Sequence, residues 1–154
     1  MSEHRINLCW KRATPDFDYK TYNREHTVTF KNGRPLEMSA APAYKGDSSK
    51  VDPEEAFVAS LSSCHMLTFL AMAAGRKLVV DSYVDDAVGY LETNADGNLA
   101  ITRVILRPRI AFGGPAPDAA TVQALHDKAH HGCFIANSVK TEVTVESAEP
   151  AGVR

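Results

Sequence analysis

The sequence predicts an α+β fold, and three observations predict it. Short segments near both ends alternate apolar and polar residues with a period of two. A long, almost uniformly apolar helical stretch occupies the middle of the chain. A second, shorter helical pattern follows two long strand-like runs. The 154 residues bound the fold to one domain, 1–154, with enough chain to bury a core without staples. Hydrophobic residues at 44% and charged residues at 23% exclude a disordered chain. Seventeen basic against nineteen acidic side chains give a net charge of −2, which lacks the basic surplus that phosphate binding needs. A nucleic-acid partner is therefore not expected.

Ile6, Leu8 and Trp10 alternate with Arg5, Asn7 and Lys11 and read as a first strand. His26–Phe30 and Leu36–Ala40 flank Asn32-Gly33, a hairpin signal. Pro42, Gly46 and the polar run to Lys50 read as a long loop. Asp52-Pro53-Glu54-Glu55 is a helix start: Asp52 caps, proline tolerates the first turn and Glu55 closes a capping box. This helix is expected to run to Ala74, with Gly75 as its stop and Arg76 and Lys77 at the negative end of its dipole. Phe57, Val58, Leu61, Met66, Leu67, Phe69 and Leu70 leave it apolar on several sides, so it should be the central, buried helix, with Cys64 at its middle.

Val79–Glu92 and Ala100–Phe112 read as two long strands joined by the turn cluster Asn94–Asn98. Arg103, Arg107 and Arg109 share a wet face of the second, and Pro108 marks an edge or bulge. Asp118–His131 is the second helix, with Val122, Leu125 and Ala129 at helical spacing. A short turn through Ser138 and a final alternating strand, Val139–Glu146, complete the chain. Hairpins and long antiparallel strands around helices are the expected architecture. The polar, mixed-charge Met1–Lys11 does not resemble a signal peptide, and the apolar run Met66–Ala74 is too short to span a bilayer. A cytoplasmic protein is expected.

Three cysteines are too few for a disulfide framework. On residue pattern alone Cys64 reads as a core cysteine, Cys9 as a packing residue of the first strand, and Cys133 as a half-buried loop thiol. A thiol reacts as the thiolate, so each needs a nearby cation or helix N-terminus to carry chemistry. Arg24 alone reads as a solvated strand-end charge, and Glu54 as a first-turn residue answering the helix dipole.

The run Asp52-Pro53-Glu54-Glu55, the small-residue stretch into Ser62-Ser63-Cys64-His65, and the late Gly132-Cys133 together resemble the OsmC/Ohr family of thiol peroxidases. Ala100-Ile101-Thr102 and Ser138-Val139-Lys140 look like the same family, and the histidine after Cys64 is similar to an OsmC-like subgroup. The resemblance implies antiparallel sheets wrapped around a buried central helix in an intertwined homodimer. It implies that Cys64 attacks a hydroperoxide and becomes a sulfenic acid, and that Cys133 resolves it as a disulfide. It implies no metal, flavin or haem, and a dithiol reductant of lipoyl or other small type. Glu54 matches the family's glutamate. Arg24, in Tyr22-Asn23-Arg24-Glu25-His26, matches its arginine, although these flanks depart from the glycine-rich setting of the Ohr branch; Arg34 and Arg12 are the alternatives. Such an arginine favours the thiolate, and the glutamate fixes its guanidinium.

Spacing adds a constraint. At 1.5 Å per residue, Glu54 lies about 15 Å below Cys64 on one straight helix, beyond side-chain reach. If both serve one site, a second chain must bring one of them, in a two-fold arrangement with sites at the boundary. The small residues Ala59, Ser60 and Ser63 would permit the close approach.

Three other readings compete. Cys64-His65 and His130-His131-x-Cys133 offer soft metal ligands, but not at the spacing of a zinc site, and His65 projects about 100° from Cys64. A cysteine hydrolase could use His126, His130 or His131 as base, yet no nucleophile elbow is present, and i, i+4 spacing makes His126 and His130 an exposed polar face. A non-catalytic binding protein on the same fold is the third. For a peroxidase, Phe57 and Met66 would line an apolar access path, which favours organic hydroperoxides over hydrogen peroxide.

Overall fold

The computed structural model describes residues 1–146. They form two compact units, Met1–Ala56 and the chain from Phe57 onward. The class is α+β, as the sequence predicts.

In the first unit, strands β1 (Asn7–Cys9), β2 (His26–Thr29) and β3 (Pro35–Met38) make an antiparallel sheet in the order β1-β2-β3. The β2–β3 turn falls at Asn32-Gly33, where Gly33 takes φ 75°, the left-handed region that glycine enters without steric cost. All three residues of β1 are exposed, so Cys9 is a surface thiol and not the packing residue its alternation suggests. Among the described residues β1 is an edge strand that pairs with β2 alone. Met38 bridges to Val51, and Ser39 N–H donates to the Val51 carbonyl, so the long loop returns to the sheet before the helix begins.

Helix α1 (Pro53–Gly75) starts on a complete capping box. Glu55 N–H donates to Asp52 Oδ1 at 2.7 Å, and Asp52 N–H donates to Glu55 Oε2 at 3.1 Å. The helix is long and apolar enough to cross a membrane by length and composition. The segment expected to be too short was only its second half. In the second unit α1 instead supplies two protein cores. Leu61 packs with Val104 and Leu106, and Phe69 and Ala73 pack with Leu125 and Ala129.

The two long strands of the sequence reading are each divided in two. The first becomes β4 (Val80–Asp85) and β5 (Val88–Thr93), the second β6 (Leu99–Leu106) and β7 (Pro108–Phe112). Strand β4 pairs with β7, β5 pairs with β6, and both pairings are antiparallel. The break has a cause. Asp85 accepts from the Arg107 N–H at 2.6 Å and from Ser62 Oγ at 2.5 Å, pinning both breaks to α1, and Pro108 has no N–H to continue the ladder. Helix α2 (Ala119–Gly132) is capped by Asp118, whose carboxylate accepts from Thr121 N–H. Strand β8 (Glu142–Val145) joins β6 in parallel, whereas only antiparallel strands were expected. The three arginines lie on a wet face as expected, each answered by an acid: Arg103 by Glu92, Arg107 by Glu146 and Arg109 by Asp86.

Candidate active site

Two cysteines distant in sequence meet in the second unit. Cys64 sits at mid-helix on α1 and is half-buried; Cys133 caps the C-terminus of α2 and is 1% exposed. Gly132 makes the approach feasible, because a Cβ there would stand 3.0 Å from Thr68 Cγ2 on α1. Cys133 neighbours the Cys64 side chain, and Ala136 N–H donates to Cys133 Sγ at 3.4 Å. Burial raises the Cys133 pKa first and the hydrogen bond to Cys64 raises it further, against a smaller lowering by the Ala136 and Ile135 amides. These surroundings favour the protonated form of Cys133. Both cysteines are free, and their being neighbours across one helix seam is what a disulfide exchange requires.

The other two candidates lie in the first unit. Arg24 is 9% exposed, with its guanidinium 4.1 Å from the Tyr22 ring and 5.4 Å from the Tyr19 ring. It donates to the carbonyls of Tyr22 and Tyr19 at 2.7 and 2.6 Å. These contacts immobilise the group, so its direction is fixed by its own loop. Glu54 lies in the first turn of α1. Among the described residues Arg24 and Glu54 do not form an ion pair with each other, nor does either with another residue of the same chain. Arg34 and Arg12 are both exposed, and Arg12 is tied to the Thr14 and Pro15 carbonyls.

The histidines differ from their sequence reading. His65 and His126 are each 1% exposed, so His126 does not lie on an exposed face. His65 Nε2 and His126 Nδ1 share a hydrogen bond of 3.0 Å, with the rings stacked at 5.3 Å. Burial holds both pKa values at about 4, so both rings are neutral near pH 7. The sequence held one signal for this: position 126 extends the apolar stripe Val122, Leu125, Ala129. Among the described residues no group of three metal-ligating side chains converges.

Phe57 lines an open groove of about 610 Å³ with Ala100, Ile101, Thr102, Lys140 and the Thr93–Ala95 turn. Met66 and the two sulfurs are not among its lining residues. The outer face of α1 carries a separate stripe, Ala59, Ser63, Leu67 and Ala71, all exposed, spaced one turn apart and small except for Leu67.

The comparisons with known proteins agree on one family. Residues 46–148 match the family model described as OsmC-like protein. A curated relative, Peroxiredoxin OsmC of Escherichia coli K12, is 26% identical over 95 residues, which are 62% of this chain and 64% of the relative. The match thus spans somewhat under two thirds of that relative. An OsmC-like protein of unknown function from Vibrio cholerae superposes with a TM-score of 0.92 at 45% identity, over 96% of this chain and all of the other. An organic hydroperoxide resistance protein OsmC from Legionella pneumophila superposes at 0.71 with 16% identity, over 97% of this chain and all of the other, a likeness of fold alone.

Proposed function

The chain belongs to the OsmC-like protein family, and from that premise we propose that it is a thiol-dependent peroxidase that reduces organic hydroperoxides through a two-cysteine cycle. The observation that carries the reading is that two free cysteines distant in sequence, Cys64 and Cys133, are neighbours across the α1–α2 seam. Cys64 is the more accessible sulfur and takes the oxygen: Cys64–SH and ROOH give Cys64–SOH and ROH. Cys133 then attacks the sulfenic sulfur. The S–O bond breaks, the S–S bond forms, and the hydroxyl leaves with the Cys133 proton as water. An external dithiol, of lipoyl or other small type, returns both thiols. No metal or organic cofactor takes part in these steps.

Arg24 is assigned to favour the Cys64 thiolate and orient the peroxide oxygen, and Glu54 to hold the guanidinium. Ten residues along α1 separate Glu54 from Cys64, so these roles require a homodimer in which a partner subunit completes each site. The exposed Ala59-Ser63-Leu67-Ala71 stripe supports that assembly, since a helix face of mostly small residues suits close helix approach. The preference for a substrate with a carbon tail over hydrogen peroxide rests on the apolar Phe57 and Met66. A cytoplasmic location fits reduced cysteines in a working thiol enzyme.

The test is mass spectrometry of the whole protein after one equivalent of tert-butyl hydroperoxide. A Cys64–Cys133 bridge is expected, absent from each single Cys→Ser variant. Unmodified Cys64 after peroxide exposure would end the proposal.

A further inference from the structure

His65 and His126 are the largest buried polar side chains that this cycle does not use. His65 follows Cys64 in the chain but lies on the buried face of α1 with Leu61, Phe69 and Ala73. His126 lies on α2, two turns before Cys133, with its ring 4.6 Å from that of Phe69. Three rungs therefore cross the α1–α2 seam: His65 to His126, Thr68 against Gly132, and Cys64 to Cys133.

Two of those rungs restrain the seam loosely. The apolar contact of Thr68 with Gly132, like that of Phe69 with Leu125 and Ala129, is non-directional and permits one helix to slide on the other. The sulfur contact must break and re-form in each cycle. A ring-nitrogen hydrogen bond is directional and tolerates one geometry only. This one is also costly. Two neutral imidazoles share a single proton between Nε2 and Nδ1, which leaves His65 Nδ1 and His126 Nε2 buried without partners. An apolar pair would fill the same space without that cost, so what the histidines add is register.

We propose that the His65–His126 hydrogen bond is a positioning device that holds α2 in register on α1 and so keeps Cys133 aligned with the Cys64 sulfenic acid for disulfide closure. The inference rests on the peroxidase reading, and makes both histidines positioning residues. A slip of α2 by one residue is about 1.5 Å, enough to take the Cys133 sulfur off the S–O axis it must attack along.

Two rates separate the inference from its premise. Oxidation of Cys64 is read in the Cys133→Ser background as capture of the sulfenic acid by dimedone. Closure is read in the presence of Cys133 as loss of dimedone reactivity in favour of the disulfide. His126→Leu is expected to leave the first rate within about twofold and to slow the second about tenfold or more, with sulfinic acid accumulating on Cys64. His65→Gln, whose amide nitrogen overlays Nε2, should close at the parent rate, whereas the shorter His65→Asn should not. That pair decides the matter should His126→Leu fail to fold, because both retain a polar side chain and differ only in reach. No dimedone adduct in Cys133→Ser would sink the peroxidase reading and the inference with it. A normal adduct with parent-rate closure in His126→Leu, or equal closure in His65→Gln and His65→Asn, would overturn the inference alone.

Discussion

Cys133 lies beside Cys64 across the α1–α2 seam, and of the two it is the buried one. In the proposed cycle that difference in exposure separates the roles of two chemically identical side chains. Cys133→Ser should therefore keep one turnover and lose the rest. Its Cys64 should accept one equivalent of hydroperoxide and then pass to sulfinic acid at a second, while Cys64→Ser consumes peroxide only at the background rate. Cys9→Ser should match the parent, because Cys9 is exposed on β1 in the other unit. Peroxide consumption and intact mass check all three.

If Arg24 serves the partner's thiol, Arg24→Met should lower the rate of Cys64 oxidation about tenfold, or about 1.4 kcal/mol of transition-state stabilisation. The decisive measurement is complementation. Arg24→Met and Cys64→Ser subunits, unfolded together and refolded as a mixture, should recover activity in mixed dimers that neither shows alone. Additive residual activities in the mixture would place the arginine and the thiol in one subunit.

The buried histidine pair makes stability fall in acid. Both rings hold pKa values near 4 against an ordinary 6.5, chiefly through burial; His126 and His130 lower His65 further, while Asp85 opposes this at His65 and Asp127 at His126. The unfolded chain therefore binds protons at a higher pH than the native one. This contribution to stability is complete above about pH 6.5, declines as pH falls, and is lost below about pH 4. At the limit it amounts to on the order of 3 kcal/mol for each histidine. Urea denaturation between pH 7 and 4 should show the decline. His65→Gln/His126→Asn, which does not titrate there, should show a shallower one.

Asp52→Ala removes half of the reciprocal cap on α1 and should cost about 1 kcal/mol, seen as a lower urea midpoint. Asp52→Ser should restore most of it, since serine accepts the same Glu55 N–H.

Much of this architecture was legible because it depends on neighbours in sequence. The cap at Asp52, the turn at Asn32-Gly33 and the length of α1 are local matters, and they fall where the residues put them. The pairing of Cys64 with Cys133 came from family resemblance, since spacing alone neither requires nor forbids it. Two features were hidden for physical reasons. No proline or glycine marks Asp85-Asp86 as a break, and the break comes with the hydrogen bonds that Asp85 makes to Ser62 and Arg107. The direction of β8 was hidden because alternating patterns are the same for parallel and antiparallel partners. His126 was misread because its i, i+4 relation to His130 outweighed its place beside Leu125 and Ala129.

The placement of Cys133 at the end of α2, far along the chain from Cys64, sets an order during synthesis. The ribosome delivers roughly 5–20 residues per second, so in the proposed cycle the helix of Cys64 is made some seconds before the thiol that would resolve it. For that interval a nascent chain carries an unguarded sulfur.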